Sequence, residues 1–121
     1  MRYLDSLTLS GALAEYVLVT IEHIVLRKNL SAIEAGVLPI VFTTAWVPLF
    51  VQDDISKRKG QSIYIAGGSG GIGHLAIQLA KYSGMKVFTS ASKPDGIKLC
   101  SDVGADHVIN YRQKDVVEER F

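Results

Sequence analysis

The glycine-rich segment Gly67-Gly68-Ser69-Gly70-Gly71-Ile72-Gly73 decides how this sequence folds. It directly follows the short apolar run Ile63-Tyr64-Ile65-Ala66, which is typical of a β-strand buried on both faces. Apolar residues then recur with the 3.6-residue period of a helix, at Ile72, Leu75, Ala76, Leu79 and Ala80. A strand, a glycine loop and a helix in immediate succession predict the first half of a β-α-β unit.

Downstream of the loop the same alternation continues. A second strand is predicted over Lys86–Ser90, a second helix over Pro94–Val103 with Gly104 just past its end, and a third strand over His107–Asn110. A capping box at 115–118 predicts the start of another helix. This order predicts an α/β fold with a parallel sheet and right-handed crossovers.

Upstream of the loop the chain has a different character. Residues 11–26 are rich in β-branched and aromatic residues and predict strands. Ser31-Ala32-Ile33-Glu34 is a capping box at which a helix should begin. Residues 35–52 carry no charge and approach the length of a membrane span. Pro39 and Pro48 and the acidic flanks favour instead a buried helix, broken near both prolines.

Composition excludes several classes of protein. Among 121 residues, 13 Lys and Arg face 12 Asp and Glu, for a net charge of +1, so neither a nucleic acid nor a membrane is expected as partner. The hydrophobic share of 48% excludes intrinsic disorder. The single cysteine excludes an intrachain disulfide and a cysteine-rich zinc site. The N-terminus shows no secretory signal, which favours the cytoplasm.

The segment Gly68–Gly73 fits the pattern G-x-G-x-x-G. Between a strand and a helix this pattern is typical of a dinucleotide-binding loop. One glycine permits the sharp turn, another allows the backbone to approach a diphosphate, and the third allows helix and strand to pack closely. The helix N-terminus supplies free N–H groups and a positive dipole end. A glycine turn without ligand is the alternative.

The loop also fits a rival spacing, the G-x-x-x-G-I-G of short-chain dehydrogenases, with Tyr82 and Lys86 as their Tyr/Lys pair. A catalytic Tyr and Lys must share one helix face beside the nicotinamide. Tyr82 and Lys86 lie on either side of the predicted helix end, so we consider this match accidental.

The end of the second predicted strand indicates which cofactor fits. NAD-binding proteins place an acidic residue there for the ribose hydroxyls, whereas this strand ends before Ser92 and Lys93, and Asp95 comes late. A hydroxyl and a cation suit a 2′-phosphate, so NADPH is favoured over NADH. Alternatively Ser92 caps the following helix and Lys93 is solvated; both roles are compatible.

The sequence resembles the zinc-independent quinone oxidoreductase (zeta-crystallin-like) branch of the medium-chain dehydrogenase/reductase family. The matching motifs occur in the family's order and cover the chain from Gly11 onward. They are Gly11–Tyr16, Leu38-Pro39, Thr44-Ala45-Trp46, Gly68–Lys81, Gly104-Ala105-Asp106 and Val108–Tyr111.

This resemblance implies the N-terminal half of a Rossmann-type parallel sheet, three strands with helices, preceded by the last strands of a GroES-like barrel. Residues 1–30 would be the remnant of the GroES-like catalytic domain and residues 31–121 a partial NADP-binding domain. Family members carry three further sheet strands, so we expect a fragment that is not active alone and whose first strand is an open edge.

The resemblance also implies a chemistry, in which NADPH delivers hydride to a quinone or another enone without a metal. Thr44 would face the nicotinamide. The pyrophosphate would be held by Gly68, Ser69, Gly70, Gly71, Ile72 and Gly73, and the 2′-phosphate by Ser92, Lys93 and Tyr111, with Lys98 a weaker candidate. No residue is assigned as catalytic. The alternative function is a non-catalytic dinucleotide-binding or assembly module that self-associates through its exposed strand edge.

Overall fold

The computed structural model describes residues 13–113, so the helix predicted at 115–118 lies outside the described residues. The chain divides into two compact units at the junction of Ser31 and Ala32. Within the described residues, the first unit contains only one short 3-10 turn, Ile21–His23. The strands and the longer helices belong to the second unit.

The prediction of strands within residues 11–26 is wrong for the part that the structure describes. This segment forms one turn, in which the His23 amide donates to the Thr20 carbonyl at 3.0 Å. A strand requires another strand to satisfy its backbone groups. The strands found in residues 13–113 pair only among themselves, so β-branched composition alone does not make this segment a strand.

Three parallel strands form the sheet of the second unit in the order β1-β2-β3, which confirms the predicted α/β fold. The register places Ile63 opposite Val87 and Thr89 opposite Val108. The strand that precedes the glycine loop is therefore an edge strand in the described part of the chain. The strands are β1 (Ser62–Ile65), β2 (Lys86–Ala91) and β3 (His107–Asn110).

Two helices connect these strands, α2 (Gly71–Tyr82) and α3 (Pro94–Asp102), as predicted. A preceding helix, α1 (Ala32–Trp46), continues as a π-helical segment to Gln52. The predicted break near Pro39 is wrong, since α1 runs through it. A proline inside a helix removes one backbone donor and commonly kinks or breaks the helix, yet the turns on both sides of Pro39 remain helical. The change to π-helical geometry comes next to Pro48.

The expectation that this first helix is buried is also wrong. Across 18 consecutive residues within Ala32–Gln52 the mean hydropathy reaches 1.6, but only 11% of these residues are buried. Ala45 and Leu49 contact the core, whereas Ile33 and Ile40 are more than two-thirds exposed. Length and composition would allow this helix to cross a bilayer, a criterion that core helices of globular proteins also meet.

The core of the second unit lies between the sheet and its helices. Its fully buried side chains include Ile77 of α2, Val87 of β2 and Cys100 of α3. β1 contributes only one face, because Ser62 and Tyr64 are exposed while the intervening residues are half-buried. The prediction that β1 is buried on both faces is therefore wrong.

Asp106 connects α2, β2 and the start of β3. Its carboxylate accepts hydrogen bonds from Lys81 Nζ at 2.8 Å and from the Val87 amide at 2.6 Å. The Asp106 amide in turn donates to the Val87 carbonyl at 2.8 Å. The Lys81 ammonium, followed by the Val87 N–H, holds the pKa of Asp106 below its usual value.

Candidate nucleotide-binding site

The glycine loop forms a tight turn at the carboxyl end of β1. Gly67 adopts φ +68°, a left-handed conformation that favours glycine. The Gly70 amide donates to the Gly67 carbonyl at 3.0 Å, which closes the turn. α2 begins at the next residue, Gly71. This is the strand, turn and helix that the sequence predicts.

Gly68 packs directly against buried side chains of the core. A Cβ atom placed on it would lie 2.1 Å from Thr89 Oγ1 and 2.9 Å from both Cys100 Sγ and Ile77 Cδ1. These neighbours belong to β2, α3 and α2 respectively. The loop can therefore descend onto the core only where the chain has no side chain.

Gly73 provides the close contact between α2 and the loop that follows β1. A Cβ atom on Gly73 would lie 2.3 Å from the Gly67 carbonyl oxygen and 2.8 Å from Gly68 Cα. Because both contacts are to backbone, no side-chain rotation relieves them. Gly73 thus has the role that the third glycine of the pattern requires.

The outer side of the loop is open by comparison. A Cβ atom on Gly70 would meet only the Gly67 carbonyl, at 3.4 Å, and one on Gly71 only Val41, at 3.5 Å. The first helical hydrogen bond of α2 runs from the His74 amide to Gly70 at 3.0 Å. The preceding N–H groups of the first turn therefore have no acceptor within the helix, which is the arrangement that binds anions.

The side chains nearest this opening leave it accessible. Ile72, in the first turn of α2, is 44% exposed and Ser69 is also exposed. His74 is half-buried, and its ring Nδ1 lies 2.9 Å from the Gly70 carbonyl oxygen. The imidazole thus lies against the loop backbone.

Two hydroxyl groups of β2 hold the loop from beneath, and the sequence analysis missed both. Thr89 Oγ1 donates to the Ile65 carbonyl at 2.6 Å. Ser90 Oγ accepts the Gly67 amide at 3.3 Å, and the Ser90 carbonyl accepts the Gly68 amide at 3.0 Å. Thr89 is fully buried and Ser90 is 5% exposed. The sequence signal for these contacts was a pair of hydroxyl residues at the end of a predicted buried strand, since buried polar groups need hydrogen-bond partners.

The residues predicted to surround a 2′-phosphate follow the ends of β2 and β3. Ala91 pairs with Asn110 in the sheet register, and the next residues along the chain are Ser92 and Tyr111. Ser92 is half-buried and Tyr111 is 53% exposed. Lys93 is the exposed N-cap residue of α3. All three residues therefore lie at the carboxyl end of the parallel strands, which is also the end that carries the glycine loop.

The contacts of Lys98 do not place its side chain at this carboxyl end of the strands. Its ammonium pairs with Asp102, one turn further along α3, at 2.5 Å. This ion pair is exposed at both ends. The weaker candidate of the sequence analysis thus has a different partner in the structure.

Thr44 lies in α1, the helix that packs against α2. Its Oγ1 donates to the Ile40 carbonyl at 2.7 Å within the same helix. Three residues earlier on α1, Val41 approaches Gly71 of the loop, and residues spaced by three share a helix face. Thr44 is thus an exposed residue of α1, three residues after the one that approaches the start of α2.

The two residues of the rival short-chain pattern lie far from the loop. Lys86 is the first residue of β2, so it lies at the amino end of the strand, opposite the end that carries the glycine loop. Tyr82 is the last residue of α2 and is 91% exposed. A catalytic pair must lie beside the cofactor. This geometry excludes Tyr82 and Lys86 from that role at the glycine loop.

The described residues do not form a metal site. Within residues 13–113, no group of three or more His, Cys, Asp or Glu side chains is placed to hold an ion. Cys100 is fully buried beneath Gly68, and burial raises the pKa of its thiol. A cysteine binds zinc as its thiolate, the form that this burial disfavours.

Comparison with known protein families gives one match that includes the loop helix. Residues 71–120 match the family model described as zinc-binding dehydrogenase. The match covers α2, β2, α3 and β3.

Known proteins of similar sequence and structure agree with this match. A zinc-type alcohol dehydrogenase-like protein of Staphylococcus epidermidis is 38% identical over 92% of this chain and 34% of its own length. A quinone oxidoreductase of Pseudomonas syringae superposes with a TM-score of 0.72 and 27% identity, over 78% of this chain and 29% of its own. The Escherichia coli quinone oxidoreductase, solved in complex with NADPH, superposes with a TM-score of 0.65 and 28% identity over 74% and 27%.

The chain therefore spans about a third of the length of the curated relatives it matches. The similarity in sequence extends over nearly the whole chain, and the similarity in structure includes the parallel sheet with its glycine loop. The three-stranded sheet, the loop and the helix that follows it match the nucleotide-binding half of these proteins. Over these residues, this chain is similar to the nucleotide-binding half of medium-chain dehydrogenase/reductase proteins.

Proposed function

We propose that this chain binds NADPH at the glycine loop and forms part of an oxidoreductase that reduces a quinone or another enone. The observation that carries this proposal is the asymmetry of the loop. Gly68 and Gly73 have no room for a side chain on the inner side, whereas Gly70 and Gly71 are open at the N-terminus of α2. Such a surface suits a diphosphate.

The preference for NADPH rests on the end of β2. No acidic residue is available there for ribose hydroxyls, and the first acid, Asp95, already lies in α3. The carboxyl ends of β2 and β3 instead carry a hydroxyl, a cation and an aromatic ring, from Ser92, Lys93 and Tyr111 respectively. A 2′-phosphate carries the charge that this set complements.

The nicotinamide end of the cofactor would extend toward Thr44. When bound, NADPH supplies the hydride, and the protein positions the acceptor beside it. Following the resemblance to the zinc-independent quinone oxidoreductase branch, we propose a reaction that does not require zinc. We further propose that residues 1–30 derive from the GroES-like catalytic domain and residues 31–121 from the NADP-binding domain. The single cysteine, a buried free thiol, fits a reducing compartment such as the cytoplasm.

A second function is supported by the open edge of β1. An edge strand offers unpaired backbone groups to another strand. In the same unit, α1 exposes apolar side chains that could pack against a partner. These features suit a non-catalytic dinucleotide-binding or assembly module. Such a module would bind NADPH without turning over a substrate.

One experiment separates the two functions. The purified chain is titrated with NADPH and NADH, with cofactor fluorescence as the readout, and is then supplied with a quinone while NADPH absorbance is followed. Oxidation of NADPH that depends on the quinone supports the oxidoreductase. Binding of NADPH without oxidation supports the module, and absence of binding overturns both.

A further inference from the structure

Gly96 is a glycine that its helix does not need for its own geometry. It lies in the first turn of α3 with no left-handed backbone angle. Glycine inside a helix costs about 1 kcal/mol relative to alanine. A helix that begins with a proline at the favoured N1 position thus contains an unfavourable residue two positions later, which requires a reason outside the helix.

The reason is contact with the glycine loop. A Cβ atom on Gly96 would lie 2.9 Å from Ser69 Cβ and 3.0 Å from Ser69 Oγ. The Ser69 hydroxyl can rotate away, but its Cβ is fixed to the backbone. An alanine at Gly96 therefore requires the loop or the start of α3 to move.

We propose that Gly96 is a positioning residue that determines cofactor specificity. It would do so by setting the distance between the glycine loop, which would bind the diphosphate, and the residues that would bind the 2′-phosphate. This inference rests on the proposed binding of NADPH. Ser69 belongs to the loop, while Lys93 is the N-cap of α3, three residues before Gly96. Because a helix moves as a rigid body over one turn, the Gly96–Ser69 contact fixes where Lys93 stands relative to the loop.

The physical consequence differs between the two cofactors. NADPH carries a diphosphate and a 2′-phosphate at a fixed separation and engages both groups of residues. NADH engages only the loop. A displacement of α3 on the order of 0.5 Å misplaces Lys93 for NADPH, since charge-assisted hydrogen bonds depend strongly on distance and angle, while NADH loses little.

The test is a double-mutant cycle in the full chain, with the variants G96A, S69G and S69G/G96A. Dissociation constants for NADPH and NADH are measured by fluorescence titration, and folding is followed by thermal unfolding. We expect G96A to weaken NADPH binding about 5- to 10-fold and NADH binding less than twofold. Against the S69G background, the same substitution should change NADPH binding less than twofold, because the blocking Cβ is gone.

The matched control is G36A, an equivalent substitution in α1 at a position where a Cβ atom meets nothing within 4 Å. It should leave the ratio of the two dissociation constants unchanged. Equal losses for NADPH and NADH in G96A, or an equal effect of G96A with and without S69G, would overturn the positioning role. If G96A does not fold, a folded S69G/G96A variant supports the contact and an unfolded one refutes it. A wild-type chain that binds neither cofactor refutes the proposed function instead.

Discussion

Tyr64 of β1 and Ser90 of β2 are joined by a hydrogen bond of 2.9 Å between their hydroxyl groups. The same Ser90 oxygen accepts the amide of Gly67, the first residue of the glycine turn. The turn is thereby attached to the sheet by a side chain as well as by the backbone. Ser90 is almost completely buried, so water does not readily replace these bonds.

Replacement of Ser90 by alanine should lower the free energy of unfolding by about 1–2 kcal/mol, because Gly67 N–H and Tyr64 O–H lose this acceptor. Urea unfolding measures the loss. Amide hydrogen exchange should become faster at Gly67 but not at Gly68, which donates to the Ser90 backbone carbonyl. Ser101→Ala, at an exposed site on α3, is the control; equal stability of the two variants would contradict the attachment.

The two sides of the glycine loop should respond differently to alanine. Gly68→Ala places a Cβ atom against Thr89, Cys100 and Ile77 and should destabilise the fold by about 2–3 kcal/mol through overpacking. Gly70→Ala meets only a 3.4 Å contact, so it should fold normally yet obstruct the approach of a diphosphate. Thermal unfolding and NADPH titration distinguish the two effects. A Gly70→Ala variant with unimpaired NADPH binding would refute the proposed diphosphate site.

Lys93 should contribute to NADPH affinity and not to NADH affinity. Its replacement by alanine should weaken NADPH binding about fivefold, corresponding to about 1 kcal/mol for a solvent-exposed charged contact. Lys98→Ala is the matched control, since that ammonium is paired with Asp102 on the same helix. The prediction fails if both variants lose the same affinity, or if NADH binding falls as much as NADPH binding.

Asp106 should make the stability of the second unit depend on pH. Because its pKa is lowered in the folded chain by Lys81 and the Val87 amide, its contribution is complete above the unfolded value of about 3.9. It is lost as the pH falls through the lower, folded pKa. Asp106→Asn should cost about 1 kcal/mol at pH 7, discounted for partial exposure, and progressively less under acid conditions.

Urea unfolding at neutral and acid pH measures this effect. Asp102→Asn, at the exposed pair with Lys98, serves as a comparison and should cost no more than about 0.5 kcal/mol. A wild-type chain whose advantage over Asp106→Asn is the same at both pH values would show that the carboxylate charge has no part in the contact.

The chain should associate at high protein concentration through the edge of β1. Sedimentation velocity across a range of concentrations measures this. The exposed apolar side chains of α1 offer a competing surface, which the double variant Ile33→Glu/Ile40→Glu tests. We expect that variant to associate as the wild type does; a monomeric variant would assign the association to α1 instead, and a monomeric wild type would refute it altogether.

The sequence predicted those parts of the fold that local patterns determine. The bounds of β3, His107–Asn110, and the first residues of α2 and α3 lie where periodicity, glycine and proline indicated. The candidate binding residue Ser92 came from its position after a strand end, whereas Tyr111 came only from the resemblance to the quinone oxidoreductase branch.

The contacts that shape the loop could not be predicted in this way. Tyr64 and Ser90 are 26 residues apart in the chain, and Gly96 meets Ser69 only because α3 returns to the loop. Such contacts depend on register and on helix position, which no local pattern specifies. The exposure of α1 was missed for a related reason, since an apolar sequence does not indicate what covers it.

The position of Cys100 has a practical consequence. Its sulfur lies directly beneath the Gly68 backbone, and burial both shields the thiol and raises its pKa. A thiol-specific reagent can therefore react only after a local opening exposes the sulfur, so the labelling rate reports how often such openings occur. An occupied nucleotide site would slow the modification, and the protein thus carries its own reporter of ligand binding.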